Sequence, residues 1–147
     1  MYIHNTINFT DIDLHKYSKH KDIEIIGVKI HGSTSIIHII TLYRSPNGNF
    51  NYFLQTLDAI LQSLNSQITH TIIFGDTNVN FLTENNHKKI LENMLFSHNL
   101  TGIVNFPTRI TDSSASAIDN IFLNSTRFED YLVYPLKMTF LIMMGKL

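Results

Sequence analysis

The sequence predicts a mixed α/β (α+β) layered domain. Three observations predict it. Residues 35–43 form a β-branched segment that is apolar on both faces, because Ile36 and Ile40 alternate with Ile37 and Ile39. Residues 50–64 carry apolar side chains at helical spacing, and the predicted elements follow the order β-β-α-β-α-β-β with no internal repeat or low-complexity linker. A strand buried on both sides needs a layer above it and another below.

Residues 1–22 are polar and mixed, and they carry no clear structural signal. The run Ile-Glu-Ile-Ile-Gly-Val-Lys-Ile over residues 23–30 reads as a strand reaching His31. His31-Gly32-Ser33 is a turn signal, so residues 23–31 and 35–43 are read as a hairpin. Ser45-Pro46-Asn47-Gly48-Asn49 is a loop. After it, Phe50, Phe53, Leu54, Leu57, Ile60, Leu61 and Leu64 mark one face of a helix, with Asn49 as its N-cap. Residues 71–74 make a short buried strand that ends at Gly75-Asp76. A second helix is predicted over 84–97, with Ile90, Leu91, Met94 and Leu95 on its buried face. A short strand over 101–105, a polar loop over 107–116 and a strand over 117–123 complete the pattern. The apolar stretch from Tyr131 to Leu147 is shorter than the roughly 20 residues a membrane helix needs. It reads as a buried strand, or as sequence that no longer belongs to the fold.

Composition narrows the function classes. The chain has 147 residues, 44% apolar and 16% charged, which suits one globular domain. A formal net charge of −1 gives no long-range attraction to a polyanion, so nucleic-acid binding would need a local basic patch. The absence of cysteine excludes disulfides and thiolate metal sites. Eight histidines are scattered with no pair at His-x-x-x-His spacing. No charged lead followed by an apolar run opens the sequence, so no secretory leader is expected.

Three motifs could carry chemistry. Phe74-Gly75-Asp76-Thr77-Asn78-Val79-Asn80 places a carboxylate and an amide just beyond a buried strand. Chemistry in α/β folds commonly sits there; Asp76 could orient or deprotonate a water, and Asn78 could hold a phosphoryl oxygen. Gly, Asp and Asn are also the usual residues of a strand-ending turn, and on the heptapeptide alone that reading is the stronger. Tyr43 ends another strand, where its hydroxyl could donate to a phosphate and Arg44 could pair with one. Equally, such a Tyr is commonly core with a wet tip, and such an Arg is commonly surface. The third motif is Phe106-Pro107-Thr108-Arg109, followed by Ala117-Ile118-Asp119-Asn120-Ile121-Phe122. A carboxylate in an apolar strand is costly without a partner, so Asp119 must have one, either an imidazole or nearby backbone N–H groups.

Taken together, Tyr-x-x-Pro, Gly-Asp-x-Asn, Pro-Thr-Arg and Ile-Asp-x-Ile-Phe occur in one order between Tyr43 and Phe122, within a likeness that runs over residues 1–124. This combination resembles the endonuclease/exonuclease/phosphatase superfamily, and more narrowly the endonuclease domain of non-long-terminal-repeat retrotransposons linked to reverse transcriptases. The resemblance implies a four-layer α/β/β/α sandwich, here partial, and phosphodiester hydrolysis with Mg²⁺ or Mn²⁺. It assigns Asp76 to the attacking water, Asn78 and Tyr43 to the scissile phosphate, and Asp119 to the family's catalytic His. Arg44, Thr108, Arg109 and Asn120 become substrate contacts. DNA is the implied partner, with a reverse-transcriptase domain on the same polyprotein and no membrane.

The chain departs from the family in two places. Nothing before Tyr43 matches the family's Asn strand or the Glu that is its main metal ligand, and Glu24 lies in a later strand of the pattern. Where the family has Ser-Asp-His, this chain reads Leu136-Lys137-Met138-Thr139-Phe140-Leu141-Ile142, and no His follows His98. The expectation is a single incomplete domain over 1–147 with a divergent tail over 125–147. Such a chain would be unable to cut on its own and would self-associate through an exposed sheet edge. The other readings are a non-catalytic nucleic-acid-binding remnant and a phosphoesterase acting on lipid or small-molecule esters.

Overall fold

A computed structural model of the chain describes residues 2–33, 35–64, 69–124, 131–135 and 140–144. Strand β1 (Phe9–Ile12) and a 3-10 turn (His15–Tyr17) lead into β2 (Glu24–His31) and β3 (Ile36–Tyr43). Helix α1 (Phe50–Leu64), β4 (Thr69–Asp76) and α2 (Asn86–Ser97) follow. Then come β5 (Thr101–Gly102), a ribbon of β6 (Arg109–Ile110) with β7 (Ala115–Ser116), and β8 (Asp119–Leu123). A hairpin of β9 (Tyr131–Pro135) with β10 (Phe140–Met144) ends the described chain.

Six strands form one sheet in the order β1-β2-β3-β4-β8-β5. Strands β2 and β3 pair antiparallel, as the hairpin reading requires, whereas β3 and β4 pair parallel. Parallel neighbours need a crossover, and α1 supplies it. Its start is set by Asn49, whose Oδ1 accepts the N–H of Tyr52 at 3.0 Å. Asn85 caps α2 in the same way, accepting from Lys88 N at 2.8 Å.

Alternation along β3 divides the core in two. Ile40 and Leu42 join the helix-side cluster with Phe53, Leu57, Ile60, Leu91, Leu95, Ile73 and Phe122. Ile37 joins the opposite cluster with Ile72, Ile121, Leu123 and Val104, against which Val133 of β9 packs. The expected two-sided burial of β3 is therefore present. Phe53, Leu57 and Ile60 are fully buried, and each contributes about 1.5–3 kcal/mol.

Several expectations need correction. Residues 9–12 are a strand; their short Phe-Thr-Asp-Ile alternation pairs with β2 but gives almost no apolar signal. The stripe of α2 is narrower than its periodicity suggests, with Leu91 and Leu95 buried but Ile90 48% exposed. The strand expected over 101–105 is two residues long, and the polar loop over 107–116 contains the β6–β7 ribbon. The apolar C-terminal stretch is a paired hairpin rather than one buried strand. Among the described residues no helix is long and apolar enough to cross a membrane.

The sheet's edges are short: β1 has four residues, with Asp11 among them, and β5 has two. Short charged edges resist edge-to-edge pairing. The large apolar side chains that the sheet itself exposes lie on the face away from the helices, where Ile26 is 53% and Phe9 39% exposed. Self-association is therefore expected through this face. Ile26→Thr keeps β-branching and removes apolar surface, so it should shift sedimentation toward monomer; an unchanged mass distribution contradicts this.

Candidate active site

Strands β3 and β4 run parallel and end together, and β8 starts beside them. The register pairs Tyr43 with Asp76, and Asp76 with Asp119. Paired residues share a sheet face, so these three stand in one row across three strands, on the face away from the helices. Glu24 of β2 pairs with Tyr43 and extends the row.

Two carboxylates directly opposite each other destabilise a sheet, and Asp76 shows the effect. Partial burial pushes its carboxyl above the usual range, and the neighbouring Asp119 charge pushes the same way. The backbone N–H of Asn78 and the charges of Arg109 and Arg44 oppose the rise without cancelling it. A carboxylate held above its usual range is a stronger base than an exposed one.

The loop after β4 is built from Asx-type turns. Asp76 Oδ1 accepts the N–H of Asn78 at 2.8 Å, and Asn80 Oδ1 accepts from Leu82 N at 3.1 Å. Asn78 takes a left-handed φ of 49°, a conformation Asn tolerates. Its carboxamide nitrogen donates to Arg44 O at 2.6 Å, which locks the amide beside the row.

Thr108 sits under Asp119. Its hydroxyl donates to Asp119 Oδ2 at 2.7 Å and accepts the N–H groups of Ile118 and Asp119 at 3.1 and 3.2 Å. The resemblance assigns Asp119 to the family's catalytic His, and no His follows His98 in this chain. The described partner of Asp119 is this hydroxyl, and His98 is instead bonded to Asp58 of α1 at 2.7 Å. Thr108→Val removes a donor and two acceptor contacts at nearly constant volume. It is expected to cost about 1–3 kcal/mol, read as a lowered midpoint in urea.

Two expected substrate contacts lie elsewhere. Arg44 is 2% exposed, and its guanidinium donates to Thr77 O, Gly48 O and Asn78 O at 2.8, 3.1 and 3.1 Å. It is a brace between two loops rather than a free phosphate ligand. Asn120 follows Asp119 by one residue and so points to the opposite face. It is 2% exposed, with its Oδ1 accepting Val104 N at 3.1 Å. Arg109 is exposed and close enough for its charge to act on Asp76.

Sequence reasoning missed Thr77 and the structural use of Asn80. Thr77 is fully buried and its hydroxyl donates to Ile118 O at 3.2 Å; Asn80 Oδ1 also accepts from Ala117 N at 3.1 Å. The every-second-residue spacing of Asp76, Asn78 and Asn80 was the available signal, since that is the spacing of successive Asx turns.

The described residues do not by themselves make the cation site that the resemblance implies. Among the described residues no three His, Cys, Asp or Glu converge as a metal-binding group. The row offers Asp76 and Asp119, and one Asp119 oxygen already accepts from Thr108. Mg²⁺ held by one or two carboxylates must complete its shell with water and substrate phosphates.

A family model described as endonuclease-reverse transcriptase matches residues 37–137. The chain is similar in fold to the endonuclease domain of TRAS1, a telomere-specific non-LTR retrotransposon, with a TM-score of 0.69 at 14% identity. That match covers 88% of this chain and 63% of the TRAS1 domain, so the chain spans less than two thirds of it. A humanized D. rerio TDP2 carrying 14 mutations is similar at a TM-score of 0.53 and 13% identity, over 79% of this chain and 50% of that one. No curated protein matches.

Proposed function

Because the chain belongs to the endonuclease–reverse transcriptase family, we propose that the Tyr43–Asp76–Asp119 row is a phosphodiester site for DNA, and that this chain on its own binds DNA without cutting it at an appreciable rate. One observation carries the reading: Asp76 and Asp119 lie directly opposite each other at a strand end. A sheet built only for stability avoids that pairing, whereas a water-orienting site needs such a carboxylate.

Each group has a role. Asp76 orients the attacking water and draws off its proton. Tyr43 donates its hydroxyl to a phosphate oxygen, and the amide of Asn78 faces the same phosphate. Thr108 fixes Asp119, Arg109 lies at the rim for a substrate phosphate, and Arg44 and Asn120 position the loops. A bound Mg²⁺ or Mn²⁺ would supply charge neutralisation at the phosphoryl oxygens. Low turnover follows from Asp119 holding a hydroxyl instead of an imidazole and from the lack of a third metal ligand among the described residues. A reverse-transcriptase domain on the same polyprotein is the expected partner, acting with it in the nucleus or cytoplasm.

Fluorescence anisotropy with duplex DNA and nicking of supercoiled plasmid in Mg²⁺ test the two halves of this reading. Salt-sensitive binding with no nicking above background is expected. Nicking that is metal-dependent and lost in Asp76→Ala would overturn the low-turnover half, and absence of binding would overturn the site itself.

The raised Asp76 carboxyl makes a separate prediction. The folded chain holds this proton more tightly than the unfolded chain does, so between the ordinary and the raised value the unfolded state ionises first. Stability contributed by the protonated group is therefore present in acid and lost as pH rises through that window. Asp76→Asn keeps the acceptor for Asn78 N and removes the charge. It should melt higher than the parent at neutral pH and converge with it in acid, while weakening any residual nicking. A variant that melts lower at neutral pH contradicts the assignment.

A further inference from the structure

Five of the seven residues in His15-Lys16-Tyr17-Ser18-Lys19-His20-Lys21 are Lys or His, in a chain of net charge −1. The structure fixes where they stand. Lys19 N donates to Ile23 O at 2.7 Å, and Asp22 N and Ile23 N donate back to Lys19 O at 3.0 and 2.9 Å, closing a tight turn. Lys21 takes a left-handed φ of 68°, which a lysine has no intrinsic reason to adopt. The turn is fastened to the loop that leaves Tyr43. Ser45 N donates to Lys21 O at 3.0 Å, and Asn49 N donates to Asp22 Oδ1 at 2.7 Å. Gly48 permits the approach, since a Cβ there would stand 2.2 Å from Lys21 O.

Charge pairing within the turn is selective. Lys19 is paired with Asp22 at 2.6 Å, and His20 lies 3.5 Å from Glu24. Lys16 lies 4.9 Å from the Tyr17 ring, and neither it nor Lys21 has an ion-pair partner among the described residues. Asp13, the carboxylate nearest Lys16 in sequence, accepts the N–H of His15 at 3.3 Å, and Asp22, next to Lys21, is paired with Lys19. Two uncompensated ammonium groups thus stand at the same end of the sheet as the row. Glu24, just beyond the turn, lies two strand spacings from Asp76, or roughly 10 Å. The row itself is negative, through Glu24, Asp76 and Asp119, and would repel a polyanion unless positive charge is placed beside it.

We propose that this turn is a second contact for the nucleic-acid backbone, in which Lys16 and Lys21 hold phosphates of the strand that passes out of the Tyr43–Asp76–Asp119 row. The inference rests on the reading of that row as a DNA site. Phosphate contacts of this kind set affinity and register without reading sequence.

The test is anisotropy of the whole chain with a labelled DNA duplex in EDTA, where cleavage cannot intrude, over about 50–200 mM salt. The Lys16→Gln/Lys21→Gln double variant is compared with wild type and with Lys29→Gln, a control far along β2. Each lost phosphate contact removes about 0.9 from the slope of log affinity against log salt, so the double variant should be shallower by about 1.8. The control should keep the wild-type slope. An unchanged slope in the double variant overturns this inference and leaves the row's assignment standing. Absence of salt-dependent binding by wild type overturns both.

Discussion

Replacing Gly75 with Ala is expected to lower stability by about 3 kcal/mol or more, out of the ~5–15 kcal/mol typical of a domain. Gly75 has a φ of 153°, a region that side chains other than hydrogen rarely enter. A Cβ at this position would stand 1.8 Å from the Leu42 carbonyl oxygen and 2.8 Å from its carbon. Both are backbone atoms of the paired strand, so no rotamer change relieves the contact. Leu42 and Gly75 are ladder partners immediately before Tyr43 and Asp76, and any separation of β3 from β4 there pulls the row apart. For a chain of this size the loss corresponds to roughly 6–12 °C in Tm. DNA binding should fall even where the variant remains folded. A Gly75→Ala protein melting within about 2 °C of wild type would show that the strand pair relaxes around the added carbon.

The same glycine illustrates what the sequence made legible. A Gly before an Asp at the end of an apolar run marked where the strand ends, and the structure adds the Leu42 carbonyl as the backbone atom that the glycine approaches. The α1 stripe, its Asn49 cap and the β2–β3 hairpin were readable because each rests on local periodicity or a single capping residue. The juxtaposition of Asp76 and Asp119 was not readable, since 43 positions separate them and only ladder register brings them opposite. The motif order hinted at a shared site, but pairing decides which carboxylates repel.

Arg44 and Asn120 were misplaced for one physical reason. Burial of a polar side chain depends on acceptors or donors that arrive from distant segments. The carbonyls of Gly48, Thr77 and Asn78 converge on Arg44 only after β4 has docked beside β3. Val104 reaches Asn120 only after β5 has joined β8. Arg beside a loop therefore looks like surface in one dimension. Parity alone could have separated Asn120 from Asp119, because neighbours on a strand point to opposite faces. The strand β1 escaped for the opposite reason: its four residues are mostly exposed, so no apolar pattern marks them.

Arg44→Ala is the second large effect, expected to cost about 3 kcal/mol or more. Removing the side chain strands three carbonyl acceptors, two of them in the loop that carries Asn78. It also opens a gap beside Phe50 and Phe53, whose ring centroids lie 5.5 and 5.9 Å from the guanidinium carbon. Arg44→Lys should recover only part of the loss. An ammonium can donate three bonds, but from one point, and it cannot span acceptors arranged around a planar fork. The electrostatic consequence is separable from the structural one. Burial draws the guanidinium pKa down while the Asp76 charge supports it, and in return Arg44 restrains the rise of the Asp76 carboxyl. Without that cation, Asp76 should titrate higher still, a shift observable by carboxyl-carbon NMR in any variant that stays folded. Arg44→Lys retains a charge near the site, so it should leave the Asp76 titration close to wild type despite its lower Tm. If Ala and Lys variants melt alike and titrate alike, Arg44 is not the brace that holds the Asn78 loop against the row.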